Sequence, residues 1–160
     1  RKNKMANIVP FSFPVELLSG THNFSSGGNQ YTMSLYVGSG SFPYTTASTI
    51  YSATDEVSAG GGSQYSAFAW TNTQQAVSNV SNYATVDFTV NPNWGSGGGG
   101  PATFSARYAA IYNVTNGNKL VVVLDFGASF SCSNGTFTVT IPSPTAGSPS
   151  GADAILSINS

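Results

Sequence analysis

The sequence predicts an all-β fold: an antiparallel β-sandwich or jelly-roll-like domain of about seven to eight strands, with an extended N-terminal arm. Three observations carry this. Helix formers are scarce, with two Glu, three Lys, four Gln and six Leu against 35 Val, Ile and Thr. Apolar residues alternate at period two in several short runs. Glycine and asparagine turn signals separate those runs. The arm is residues 1–14 and the single domain residues 15–160.

The arm carries Pro10 and Pro14 among Ile8, Val9, Phe11, Phe13 and Val15. It is too apolar to float free and too rich in proline for a central strand, so it is expected on a neighbouring subunit. A short helix is expected near Val15–Leu18, stopped by Gly20. Gln30–Val37, Ala84–Val90 and Thr136–Ile141 each alternate as strands with one wet face. Phe104–Asn113 alternates as well. Lys119–Phe126 is continuously apolar between its ends, as a strand buried on both faces would be. Ser66–Thr71 and Ala154–Ser157 are weaker strands. Asn116-Gly117-Asn118 reads as a hairpin turn. Gly60–Gly62, Gly95–Pro101 and the segment with Pro142, Pro144 and Pro149 read as loops.

Only 7% of the residues are charged, against roughly a quarter in an ordinary domain. Ser and Thr supply 40 residues, so hydroxyls, amides and backbone must make the surface. Three of the five cations are Arg1, Lys2 and Lys4, and residues 1–4 read as an extension. The body keeps Arg107 and Lys119 against six acids. It cannot neutralise a run of phosphates, which excludes nucleic-acid binding. The longest apolar run, Leu120 to Leu124, is far short of a membrane helix, and no h-region follows the basic start. No membrane partner is expected.

Chemistry-bearing residues are few. A single cysteine, Cys132, forbids an intrachain disulfide and a multi-cysteine zinc site, and it reads as inert in a loop. His22 is the only histidine, and no Gly-X-Ser-X-Gly elbow accompanies it. A turn or cap role suits it better than that of a base. Asp55 and Glu56 are adjacent in a turn-like run, where an Asx-type bond to backbone is the plainer role. Asp125-Phe126-Gly127 spells a kinase magnesium motif without any of its companions. It reads as the end of a buried strand, with Asp125 paired to Arg107. The glycine runs lead into no phosphate-loop lysine. No catalytic residue, cofactor or metal site is expected.

The aromatic residues are the remaining resource: ten Phe, eight Tyr and two Trp. Trp94, beside the glycine run, and Tyr44, beside another loop, are candidates to stack on a sugar or anchor a partner. With Ile8, Val9, Phe11 and Phe13 of the arm they form the expected partner-binding set. A sheet protein with two cations in its body has few charges with which to block its edges. Barrel closure or covering by other chains must then protect them.

Leu17-Leu18-Ser19-Gly20-Thr21-His22-Asn23-Phe24 followed by Tyr31-Thr32-Met33-Ser34-Leu35-Tyr36 resembles the opening of small virion proteins of tailed bacteriophages. Tyr51 to Gly62 is similar to their Thr-rich Glu-Val-Ser-Gly segment. Ala106 to Asn113, Leu120 to Gly127 and Gly135 to Val139 resemble their C-terminal strands. Gly60-Gly61-Gly62-Ser63-Gln64-Tyr65 and the Gly95–Pro101 run depart from the pattern. The resemblance implies a non-enzymatic virion component made in the bacterial cytoplasm. The first form is a capsid decoration or cement protein. It would self-associate, as a homotrimer, and bind the major capsid protein or other virion proteins. The alternative is a neck, tail or fibre component with a glycan-binding face.

Overall fold

A computed structural model describes residues 7–60, 63–80, 83–96, 100–142 and 155–159 of the chain. The calls on the arm's first six residues, on 61–62 and 97–99 of the glycine runs, and on the Pro144 and Pro149 loop lie outside these. The described residues are mostly β, with one short helix and antiparallel sheets.

The helix α1 spans Ser12–Leu18, three residues earlier than the sequence suggested. Pro14 stands in its first turn, where its missing N–H has no intrahelical partner to lose. Gly20 stops it in the left-handed region, φ 75°, and its N–H reaches the Leu17 carbonyl at 3.1 Å. Residues 12–14 of the expected arm are therefore helical. The rest of the described arm lies on its own chain: Ile8 and Val123 exchange both backbone hydrogen bonds at 2.8 Å, and the Phe11 N–H reaches the Thr46 carbonyl. Pairing Ile8 with an otherwise open strand edge removes the need for a neighbour there.

The strands are β1 (Tyr31–Tyr36), β2 (Phe68–Ala69), β3 (Gln75–Val80), β4 (Tyr83–Phe88), β5 (Asn93–Trp94), β6 (Ala102–Asn113), β7 (Lys119–Gly135), β8 (Phe137–Thr138) and β9 (Leu156–Asn159). They form sheets in the orders β2-β1-β6-β7, β3-β4-β9 and β5-β8. The hairpin β6–β7 turns through Gly117 and Asn118, both left-handed, as the asparagine–glycine signal indicated. β3 and β5 were not anticipated. In β3 only Ala76, Val77 and Val80 are apolar, and β5 has two residues.

The main core lies on one face of the four-stranded sheet. It gathers Tyr31, Met33 and Leu35 of β1 with Trp70, Phe88 of β4 and Trp94 of β5. Phe88 stacks on Trp70 at 4.2 Å and meets Tyr31 edge-on at 5.8 Å. Trp94 and Phe137 pack against Phe104 of β6. A second cluster, Tyr36, Tyr44, Ala110, Leu120 and Val123, fills the opposite face. β1 thus has no wet face: all six residues are buried. The segment between β1 and β2 covers the side expected to be wet, with Tyr44 against Tyr36 and Tyr51 against Tyr112.

β7 is buried from Leu120 to Val123, as its apolar run required, but it continues well past Phe126. Between Tyr108↔Asp125 and Ala106↔Phe130 only Arg107 opposes residues 126–129. Beyond this irregularity most of the strand is exposed. Gly127 supplies φ 81°, and its N–H donates to Asp125 Oδ1 at 2.8 Å. Arg107 Nε donates to the same oxygen at 3.4 Å, the pair the sequence suggested. Cys132 therefore sits in a strand and not in a loop.

Candidate functional site: an apolar cleft beside a buried polar knot

Helix α1 has an unusual polarity. On α1, Val15 and Leu18 face solvent, 68% and 90% exposed, while the acidic Glu16 points inward. A carboxylate leaves water only where partners replace its hydration. Glu16 has them: Lys119 Nζ lies 2.7 Å from Oε1, and His22 Nε2 lies 3.0 Å from Oε2. Burial alone would raise its pKa. The bonds from Lys119 and His22 outweigh burial and hold it below the ordinary value.

His22 is 4% exposed and stands between Phe13 and Phe24. Asn113 Nδ2 lies 3.2 Å from its Nδ1, while Asn113 Oδ1 accepts the Asn116 N–H. The amide therefore donates, so the Nδ1 lone pair is taken and Nε2 carries the proton toward Glu16. Desolvation lowers the His22 pKa, and Glu16 restores only part of the loss. Both ring nitrogens are engaged, leaving no lone pair for an incoming hydroxyl. The histidine closes a knot that ties α1 and the 21–29 loop to the β6–β7 hairpin, with the two hydrogens of the Asn113 amide shared among His22 Nδ1, the Thr21 carbonyl and Asn29 Oδ1. The turn expected around it is real, but the ring is a core element.

The adjacent acids separate by role. Asp55, left-handed at φ 64°, accepts the N–H groups of Gly38 and Ser39 through Oδ2, each at 2.9 Å. The acid caps backbone, as expected, but the N–H groups it caps belong to residues 38–39 after β1 and not to its own turn. Glu56 accepts from the hydroxyls of Tyr51 and Tyr65. Burial, reinforced by that carboxylate, pushes both phenol pKa values above their ordinary range. Among the described residues, no group of three or more His, Cys, Asp or Glu side chains comes together. No helix among them is long and apolar enough to cross a membrane.

The expected partner-binding residues divide. Val9 and Phe11 are exposed, 42% and 74%. Ile8 is half-buried against β7. Phe13, Tyr44 and Trp94 are core residues, 5%, 4% and 3% exposed, which corrects the expectation that they reach a partner. Trp94 donates its indole N–H to the Ser66 carbonyl at 2.7 Å. Tyr44 shares its hydroxyl with Tyr36 at 2.7 Å. Loop position misled here: Trp94 stands on the short strand β5, and Tyr44 lies in the segment between β1 and β2 that folds over Tyr36.

Beside the polar knot lies an open apolar cleft of about 610 Å³ between α1 and the sheet β3-β4-β9. One wall carries Val9, Phe13 and Leu18; the other carries Val77, Val86 and Ile158. Val77 and Ile158 share the face that Phe88 uses in the core, through Val77↔Val86 and Ile158↔Ala84. Past Phe88 the layers diverge, so this face reaches solvent, with Val77 54% and Ile158 56% exposed. Among the described residues no Asp, Glu, Lys or Arg lines the cleft. Sequence reasoning missed Val77 and Ile158. Val77 stands in a stretch without period-two alternation, and which part of a sheet lacks a covering layer is a tertiary fact.

No protein-family model, curated protein or solved structure matches the chain.

Proposed function

We propose that the chain is a non-enzymatic structural component of a tailed-phage virion. In this reading it is a decoration or cement subunit on the capsid exterior, bracing neighbouring capsomers, with its sheets layered as a β-sandwich. The observation that carries the reading is the apolar surface of the N-terminal region. Phe11, Val15 and Leu18 stand in solvent next to the uncharged cleft. A patch of this kind marks a contact surface in a protein whose body is otherwise hydroxyl-rich and nearly charge-free. The layering is supported by Phe88 against Trp70 and Tyr31, and by Phe137 against Phe104.

A neck, tail or fibre role with a glycan-binding face is the weaker reading. Its leading aromatics, Trp94 and Tyr44, are enclosed. The most exposed of the apolar rings are Phe11 and Phe130, which lack the polar edge that Tyr and Trp offer a sugar.

Imaging of the particle that carries this chain, with the chain labelled, tests the proposal. Label over the whole head surface is expected, and Leu18→Lys with Val15→Lys should remove it while the isolated protein keeps its melting temperature. Label confined to the neck or tail favours the second reading. Particles without label overturn both.

A further inference from the structure

We propose that the outer half of β7, from Phe130 to Gly135, is a self-association edge onto which a second copy of this chain adds its own β7, antiparallel. The two halves of that strand edge are treated differently. Along the inner half the chain covers the edge itself. Ile8 exchanges backbone bonds with Val123, the Leu120 N–H reaches the Thr49 carbonyl at 2.9 Å, and the Tyr51 N–H reaches the Asn118 carbonyl at 2.9 Å. Beyond the irregularity at residues 126–129 the ladder with β6 resumes at Ala106↔Phe130, Ser105↔Ser131 and Phe104↔Cys132. Among the described residues no backbone bond reaches the other side of this stretch.

An unpaired row of N–H and C=O groups accepts only an extended peptide, and monomeric proteins block such rows with charge or proline. Phe-Ser-Cys-Ser-Asn-Gly has neither. Phe130 is 53% exposed, with Phe126 edge-on at 6.5 Å, over a side cleft of about 460 Å³. The absence of charge also points to the occupant. In an antiparallel pair about a two-fold axis the stretch meets itself, with Phe130 opposite Gly135, Ser131 opposite Asn134 and Cys132 opposite Ser133, so no like charges face one another. Such a pairing uses the same edge on both copies and closes at two. It replaces the trimer expected from sequence with a dimer, and it does not depend on the virion reading.

Sedimentation velocity of the purified full chain over a range of concentrations provides the test. The wild type is expected at twice the 16.5 kDa chain mass. Phe130→Lys should sediment as the monomer, because it puts a cation at each end of an edge that pairs without charge. Ser131→Lys, at a position already exposed, should do the same with an unchanged far-UV spectrum, so the test survives any loss of fold in the first variant. Val77→Lys, on the open strand β3, should stay dimeric. A monomeric or trimeric wild type, a dimer that persists in both β7 variants, or a dimer lost in Val77→Lys each overturns the proposal.

Discussion

Replacing Trp94 by alanine separates a core residue from a surface ligand-binding one. The indole is 3% exposed, with Tyr65, Phe68, Phe104 and Phe137 within 6.2 Å of it between ring centroids. Removing a buried aromatic of this size costs about 3–5 kcal/mol. The Ser66 carbonyl also loses its donor, at roughly 1 kcal/mol or more. The sum, about 4–6 kcal/mol, is a large part of the roughly 5–15 kcal/mol that holds a domain of this kind together. Urea unfolding followed by circular dichroism should show the midpoint falling steeply, with the slope retained in any fraction that still folds. Trp94→Phe, which keeps most of the ring contact and loses the N–H donor, should cost about 1–3 kcal/mol. A loss below about 1 kcal/mol for the alanine variant would refute the placement of this ring and return it to the surface.

The pH dependence of stability follows from the knot at Glu16 and His22. His22 titrates below its ordinary 6.5 in the folded chain, so just under that value the unfolded state binds a proton the native state refuses. Stability should be flat above that pH and fall as the pH drops beneath it. Glu16, held below 4.5 by Lys119 and His22, adds a further loss as it protonates in acid. His22→Gln should remove the first decline and keep the second, as read from denaturant midpoints at stepped pH; an unchanged first decline contradicts the assignment. Two left-handed glycines give a paired comparison. A Cβ at Gly95 would lie 2.2 Å from the Gly135 carbonyl oxygen, whereas one at Gly20 meets nothing within 4 Å. Gly20→Ala should cost about 1–2 kcal/mol from backbone strain alone, and Gly95→Ala distinctly more. Equal melting temperatures for the two variants would show that the close approach of β5 to the end of β7 is wrong.

Much of the strand layout was legible in the chain. Phe137, Val139 and Ile141 are buried and Thr138 and Thr140 exposed, as period-two alternation requires. Lys119 to Phe126 announced a strand buried on both faces, and Leu120 to Val123 are so buried. The Arg107–Asp125 pair was visible because both residues stand on strands joined by a recognisable turn. The candidate site was less legible. Val9 and Phe11 were named from the apolar arm, but the short helix expected near Val15–Leu18 gave no indication of which face it would bury. The outward direction of Val15 and Leu18 follows from Glu16, whose inward place rests on Lys119, 103 positions away.

The sequence by itself determined the β class, the hairpin and the near-absence of charge, because these depend on composition and on neighbours within a few residues. Tertiary structure alone decided which faces and edges meet. It sealed the second face of β1 under Tyr44 and Tyr51, turned Trp94 inward, and laid Ile8 along its own sheet. Among the described residues it also left the outer half of β7 and the face of Val77 and Ile158 without a cover. Alternation fixes which side chains share a face, but only packing over long separations in the chain determines what lies against it.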